Sequence, residues 1–189
     1  TVGEIHLVIA GDPSENHTVG AVDVNEINLV DNADANNYID LVDISGDLGA
    51  YGATKAYGAG NLFVGDDILS QISIQDAITG TVSSGGRLTG QANPIALTCG
   101  SLGSLVVGGE TDGSVNVAGA VTGNLSIYAD MEGDIDVGGT IAGDVYVHGF
   151  MDGALTCGSL GSLTVNGGDI DAITVTGAAG PVSISGSID

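Results

Sequence analysis

GSLVVGGETD GSVNVAGAVT GNLSIYADME GDIDVGGTIA GDVYVHGFMD GALTCGSL, residues Gly103 to Leu160, repeats a phrase of ten residues. Glycine opens each phrase, at Gly103, Gly113, Gly123, Gly133, Gly143 and Gly153. Between the glycines, apolar residues keep one parity: Val115, Val117, Val121, Leu125, Ile127, Ala129, Met131, Ile135, Val137, Ile141, Val145, Val147, Met151 and Leu155. Period two belongs to extended chain with one buried face, because Cβ atoms alternate sides along a strand. A run of this length is too long for one strand. A chain that keeps one face buried through regular glycine corners is a coil of short strands. The fold class read here is therefore all-β: a single-stranded β-solenoid with parallel rungs. A many-stranded β-sandwich is the competing reading, and its strands and loops vary in length far more than these.

Ten residues are too few to close a turn, so a rung holds two or three phrases. The residue before each glycine alternates in character, through Asp112, Thr122, Glu132, Ala142 and Asp152. The inward neighbour alternates too, through Val121, Met131, Ile141 and Met151, with Thr111 as the misfit. Both patterns predict a rung of about 20 residues. ALTCGSLGSL occurs at Ala96–Leu105 and again at Ala154–Leu163, an offset of 58 residues. That echo fits three rungs near 20 or two near 29. At the inter-strand spacing of about 4.8 Å, some nine rungs make a rod on the order of 40–45 Å long.

The regular array is assigned to residues 96–189, and residues 1–95 to a looser part of the same solenoid with longer loops. In that first part Ile5, Leu7 and Ile9 alternate, as do Val22 and Val24, Ile39 and Leu41, and Ile72 and Ile74. GDPSENHTVG, VDNADANNYID and GAYGATKAYGAGN separate them and are expected to bulge as loops. Pro94, without an N–H to give a ladder, suits a corner. Val182 and Ile184 still alternate near the end, which predicts unpaired strand edges there.

Acidic residues number 24 against two basic ones, Lys55 and Arg87, for a formal charge of −22. Nothing here neutralises a phosphate backbone, so nucleic acid is excluded as a partner, and an anionic membrane surface is disfavoured. No segment has the length of a transmembrane helix, and TVGEIHLVIAGD lacks the form of a signal peptide. Scarce Lys, Arg and Cys, with abundant Gly, Ser, Thr, Asp and Val, point to an extracellular or cell-surface protein. Cys99 and Cys157 share one slot of the echo, so they should lie in one column, two or three rungs apart. A disulfide needs Cβ atoms about 3.8 Å apart, so both are expected as free, inward thiols.

Such charge invites cations. Asp112, Glu132 and Asp152 are expected to project outward, one rung apart, with Asp134, Asp144 and Asn124 joining the same surface. Unit charges at 4.8 Å repel by about 0.9 kcal/mol even in water. Calcium, which takes carboxylate and amide oxygens in flexible numbers, is the cofactor this ladder suits. Asp31 and Asp34, with Asn32, Asn36 and Asn37, form a second group of closely spaced oxygen donors. It matches neither the EF-hand loop nor the calcium-binding nonapeptide. A solvated acidic face is the plainer account of both. An enzyme acting on polysaccharide requires a groove holding Arg87 or Lys55 beside two carboxylates. His6, His17 and His148 are scattered, and the expectation is of no catalysis. Tyr128, Tyr146 and His148 fall on outward parity, as surface residues or a small sugar-stacking strip.

The wording of GSVNVAGAVTGNLSIYADMEGDIDVGGTIAGDVYVHG resembles the rungs of secreted bacterial β-helices: filamentous haemagglutinin-like adhesins and the repeat proteins of surface layers and matrices. It resembles bactofilins, which polymerise end to end, less closely, since their rungs are shorter. The resemblance covers about residues 96–188 and implies an extracellular structural protein that self-associates end to end or laterally. An adhesin or carbohydrate-binding stalk is the alternative, with cell-surface polysaccharide as partner and Tyr38, Tyr51 and Tyr57 gathered as a contact patch.

Overall fold

The alternating apolar residues wind into a coil of parallel strands. The computed structural model describes residues 2–5, 38–49, 53–90 and 94–185, the first segment as backbone alone. Every strand pairing among them is parallel, and all the strands belong to one sheet.

Four inward columns make the core. The first is a stack of single bridges, Leu48, Ile68, Leu88, Thr111, Met131, Met151 and Ile170. The second is made by β3 (Ala53–Ala56), β5 (Gln71–Ile74), β7 (Ile95–Cys99), β9 (Ser114–Val117), the starts of β11 (Ile135–Val147) and β12 (Leu155–Val165), and β13 (Ile173–Val175). The third contains Ile78, Leu102, Val121, Ile141, Leu160 and Ala179. The fourth carries β1 (Val2–Ile5), β2 (Tyr38–Ile44), β4 (Gly58–Val64), β6 (Ala77–Ser84), β8 (Ser101–Val107) and β10 (Leu125–Ile127), then the ends of β11 and β12, then β14 (Val182–Ile184). Like packs on like up each stack. Leu105, Leu125, Val145 and Leu163 succeed one another in the fourth column, all buried.

Side-chain hydrogen bonds to the adjacent rung span 18, 19 or 20 residues, as expected for a rung of about 20. The echo resolves the same way, because Cys99, Val117, Val137 and Cys157 stack in order, three steps apart. Both thiols are free and buried. Two steps are longer: from Leu88 to Thr111 in the first column, and from β1 to β2, where Val2 pairs with Ile39. Pro94 lies exposed within the first of these steps, and its carbonyl accepts the Ser114 N–H at 2.7 Å.

The phrase glycines occupy two kinds of corner. Gly113, Gly133 and Gly153 follow the first column, and Gly103, Gly123 and Gly143 follow the third. The chain there presses against the rung before it: a Cβ on Gly133 would lie 2.5 Å from the Gly113 carbonyl oxygen. No side chain fits in that space.

Three expectations need correction. GAYGATKAYGAGN holds β3 and most of the inward part of β4 rather than a bulging loop. Its buried side chains are Thr54, Ala56 and Ala59, too small or too polar to stand out as an apolar rhythm. Ile39 and Leu41 do not share the core: Leu41 is half-buried, while Val42 and Ile44 turn inward after a bend. Ala129 is likewise half-buried, because the chain rounds a corner there. Leu7, Ile9, Val22, Val24 and the segment GDPSENHTVG lie outside the described residues, as does VDNADANNYID up to Tyr38, where β2 begins.

Candidate functional site

The corners concentrate the charge, and their geometry gives the acidic residues a first task. Where a strand ends, the next rung's N–H loses its carbonyl partner, and an Asp or Asn side chain supplies the acceptor instead. Asp47 Oδ1 accepts the Asp67 N–H at 3.0 Å, and Asp67 Oδ1 accepts the Arg87 N–H at 2.7 Å. Asp130 does the same for Phe150 at 2.8 Å, and Asp134 for Ala154 at 2.9 Å. Asn61 and Asn124 do so for Thr81 and Asp144, both at 2.9 Å. Each bond reaches one rung ahead. The ladder of side-chain acceptors extends the backbone ladder around the bends.

Asp112, Glu132 and Asp152 follow Thr111, Met131 and Met151, which stack one rung apart, and all three are exposed. Asp112 has a neighbour of its own. Arg87 Nη1 lies 3.8 Å from its carboxylate, while Nη2 meets Glu110 at 2.7 Å. Arg87 therefore sits beside two carboxylates, on an exposed corner where it ties one rung to the next, with its charge engaged by both. Lys55 is exposed on the outer side of β3. Asp152 lines a recess of about 440 Å³ at the last described rung, with Asp169, Asp171, Ile170, Ile173 and Ile184. Asn124 and Asp144 do not share a surface with Glu132. They follow the third column, half a turn away, and the Ser162 hydroxyl donates to Asp144 at 2.6 Å. Asp31 and Asp34 lie outside the described residues.

A further acidic group escaped the sequence reading. Carboxylate oxygens of Asp47, Asp66 and Asp67 lie within 4.8 Å of one another. The sequence signal was Gly46-Asp47-Leu48 against Asp66-Asp67-Ile68, the same corner one rung apart, visible only once the 20-residue frame is carried back past residue 95. This group offers more converging oxygens than the Asp112 ladder, although Asp47 and Asp67 already accept backbone N–H groups through it.

The fourth column's outer face differs. Tyr128, Tyr146 and His148 gather there, with ring centroids 6.1 Å apart for the tyrosines and 6.2 Å for Tyr146 and His148. Tyr146 Oη pairs with His148 Nδ1 at 3.1 Å and accepts a bond from Asn166 Nδ2 at 2.9 Å. Of the tyrosines expected to form a patch, Tyr38 pairs its hydroxyl with Thr79 at 3.0 Å and covers Gly58 with its ring. Tyr57 is half-buried, and Tyr51 lies outside the described residues.

Comparison with protein-family models, with curated proteins and with solved structures finds no match. The parallel β-solenoid is consistent with bacterial surface and structural β-helix proteins as a general class.

Proposed function

We propose that this chain is an extracellular structural element, a segment or subunit of a surface layer, matrix or filament, built by stacking β-solenoid rungs end to end. The observation that carries this reading is the unbroken set of core columns, in which each rung offers the next the same parallel ladder. A rung of this kind is a template for another rung. The columns continue to β13 and β14, where Ile173, Val175 and Ile184 are half-buried and Val182 is 47 % exposed. The charge of −22 opposes contact side to side. Calcium belongs to the reading as a counter-ion for the acidic corners.

Sedimentation and negative-stain microscopy across a concentration range test it. Rods that lengthen with concentration at constant width are expected. Particles of one length and one mass at every concentration overturn it.

A further inference from the structure

We infer that the outer face of the fourth column carries a binding strip for a neutral polysaccharide, centred on Tyr128 and Tyr146 and edged by His148 and Asn166. This assignment stands whether or not copies of the chain stack. It begins with the backbone. The Tyr128, His148 and Asn166 N–H groups each reach the rung before, at Val107, Ile127 and Val147, so these three residues form one column, a rung apart. Tyr146 belongs to the adjacent outward column, between Ser126 and Thr164. Its ring therefore lies where it can touch the rung before, its own and the rung after.

The contacts hold it there. Asn166 and His148 both bond the Tyr146 hydroxyl, and the Ser185 hydroxyl donates to Asn166 Oδ1 at 3.0 Å. Tyr128 packs against it with the ring planes at 59° and stays 54 % exposed. An exposed aromatic ring beside a fixed second ring, edged with amide, imidazole and hydroxyl groups, suits a ligand that offers C–H faces and hydroxyls together. Sugars have that character. Ser126 and Thr164, above and below Tyr146, are small enough to let a chain lie along the axis across successive rungs.

Charge selects among the candidates. At −22 the molecule repels an anionic glycan, and it repels a second copy approaching side-on. A neutral chain meets neither penalty.

The test uses the whole chain. Pull-down on insoluble cellulose and on chitin, with titration of cellohexaose and chitohexaose, supplies the neutral probes, and alginate is the anionic control. Retention on at least one neutral polysaccharide and none on alginate is expected. The Tyr128→Ala/Tyr146→Ala variant should bind about tenfold more weakly, the loss expected for two aromatic contacts. Phe63→Ala, on the same outward column but several rungs earlier, should bind as the parent does. Circular dichroism checks that each variant folds, and Tyr128→Ser alone replaces the double variant if that one does not. Absence of retention on every neutral probe overturns the assignment, as does retention unchanged by the tyrosine substitutions. A variant that changes sedimenting mass and leaves retention alone makes the strip a contact between copies. Sedimentation of the parent separates this result from failure of the stacking proposal.

Discussion

Thr111 is the one polar residue in a bridge column otherwise made of Leu, Ile and Met, and its hydroxyl is buried without a hydrogen-bond partner. Burying an unpaired hydroxyl costs about 1–3 kcal/mol, so Thr111→Val should raise the unfolding free energy by about 1 kcal/mol in urea titration. The thiols make a second residue-scale prediction. Burial pushes the Cys99 thiol up to about 12, and raises that of Cys157 as well. Native protein at pH 8 should therefore resist thiol reagents that label both cysteines in denaturant. The linkage has a definite sign. Above the ordinary thiol value of 9.0 the unfolded chain has lost protons that the folded chain still holds, so stability is full below pH 9 and falls between pH 9 and about 12. Cys99→Ala/Cys157→Ala should flatten that fall.

At the scale of the element, each corner depends on close approach between rungs and on a side-chain acceptor. Gly133→Ala drives a methyl group into the Gly113 carbonyl and should cost roughly 1–3 kcal/mol by overpacking. Ala142→Ser, on an exposed corner half a turn away, should stay within about 0.5 kcal/mol. Asp130→Ala removes the acceptor of the Phe150 N–H, and about 1 kcal/mol should go with it. Asp130→Asn keeps a carbonyl oxygen at that place and should lose less. Equal stability in the alanine and asparagine variants would mean that water serves the Phe150 N–H as well as Asp130 does.

For the whole molecule, net charge governs the response to salt. Raising sodium chloride from low to physiological ionic strength should raise Tm, because it screens self-repulsion at −22. Calcium acts differently from sodium only where carboxylates converge, and Asp47, Asp66 and Asp67 form the tightest such group among the described residues. Melting in calcium chloride should exceed melting in sodium chloride at matched ionic strength, by linkage to the folded form. The same Tm in both salts leaves the acidic corners, the Asp112 ladder included, as solvated charge.

The sequence by itself determined the parity, the parallel coil, the rung of about 20 residues and the shared column of Cys99 and Cys157. Each follows from local rules: Cβ alternation along extended chain, and stacking of like residues at a fixed interval. It was legible least where Ala56 and Ala59 stand in for larger core residues. The tertiary structure alone decided which outward groups meet. Tyr146 reaches both Tyr128 and Asn166, Arg87 falls between Glu110 and Asp112, and Asp144 lies half a turn from Glu132. Inward residues are constrained by a core that tolerates one register. Outward residues are placed by where each corner falls around the coil, and rungs of 18, 19, 20 and more residues shift that angle at every turn.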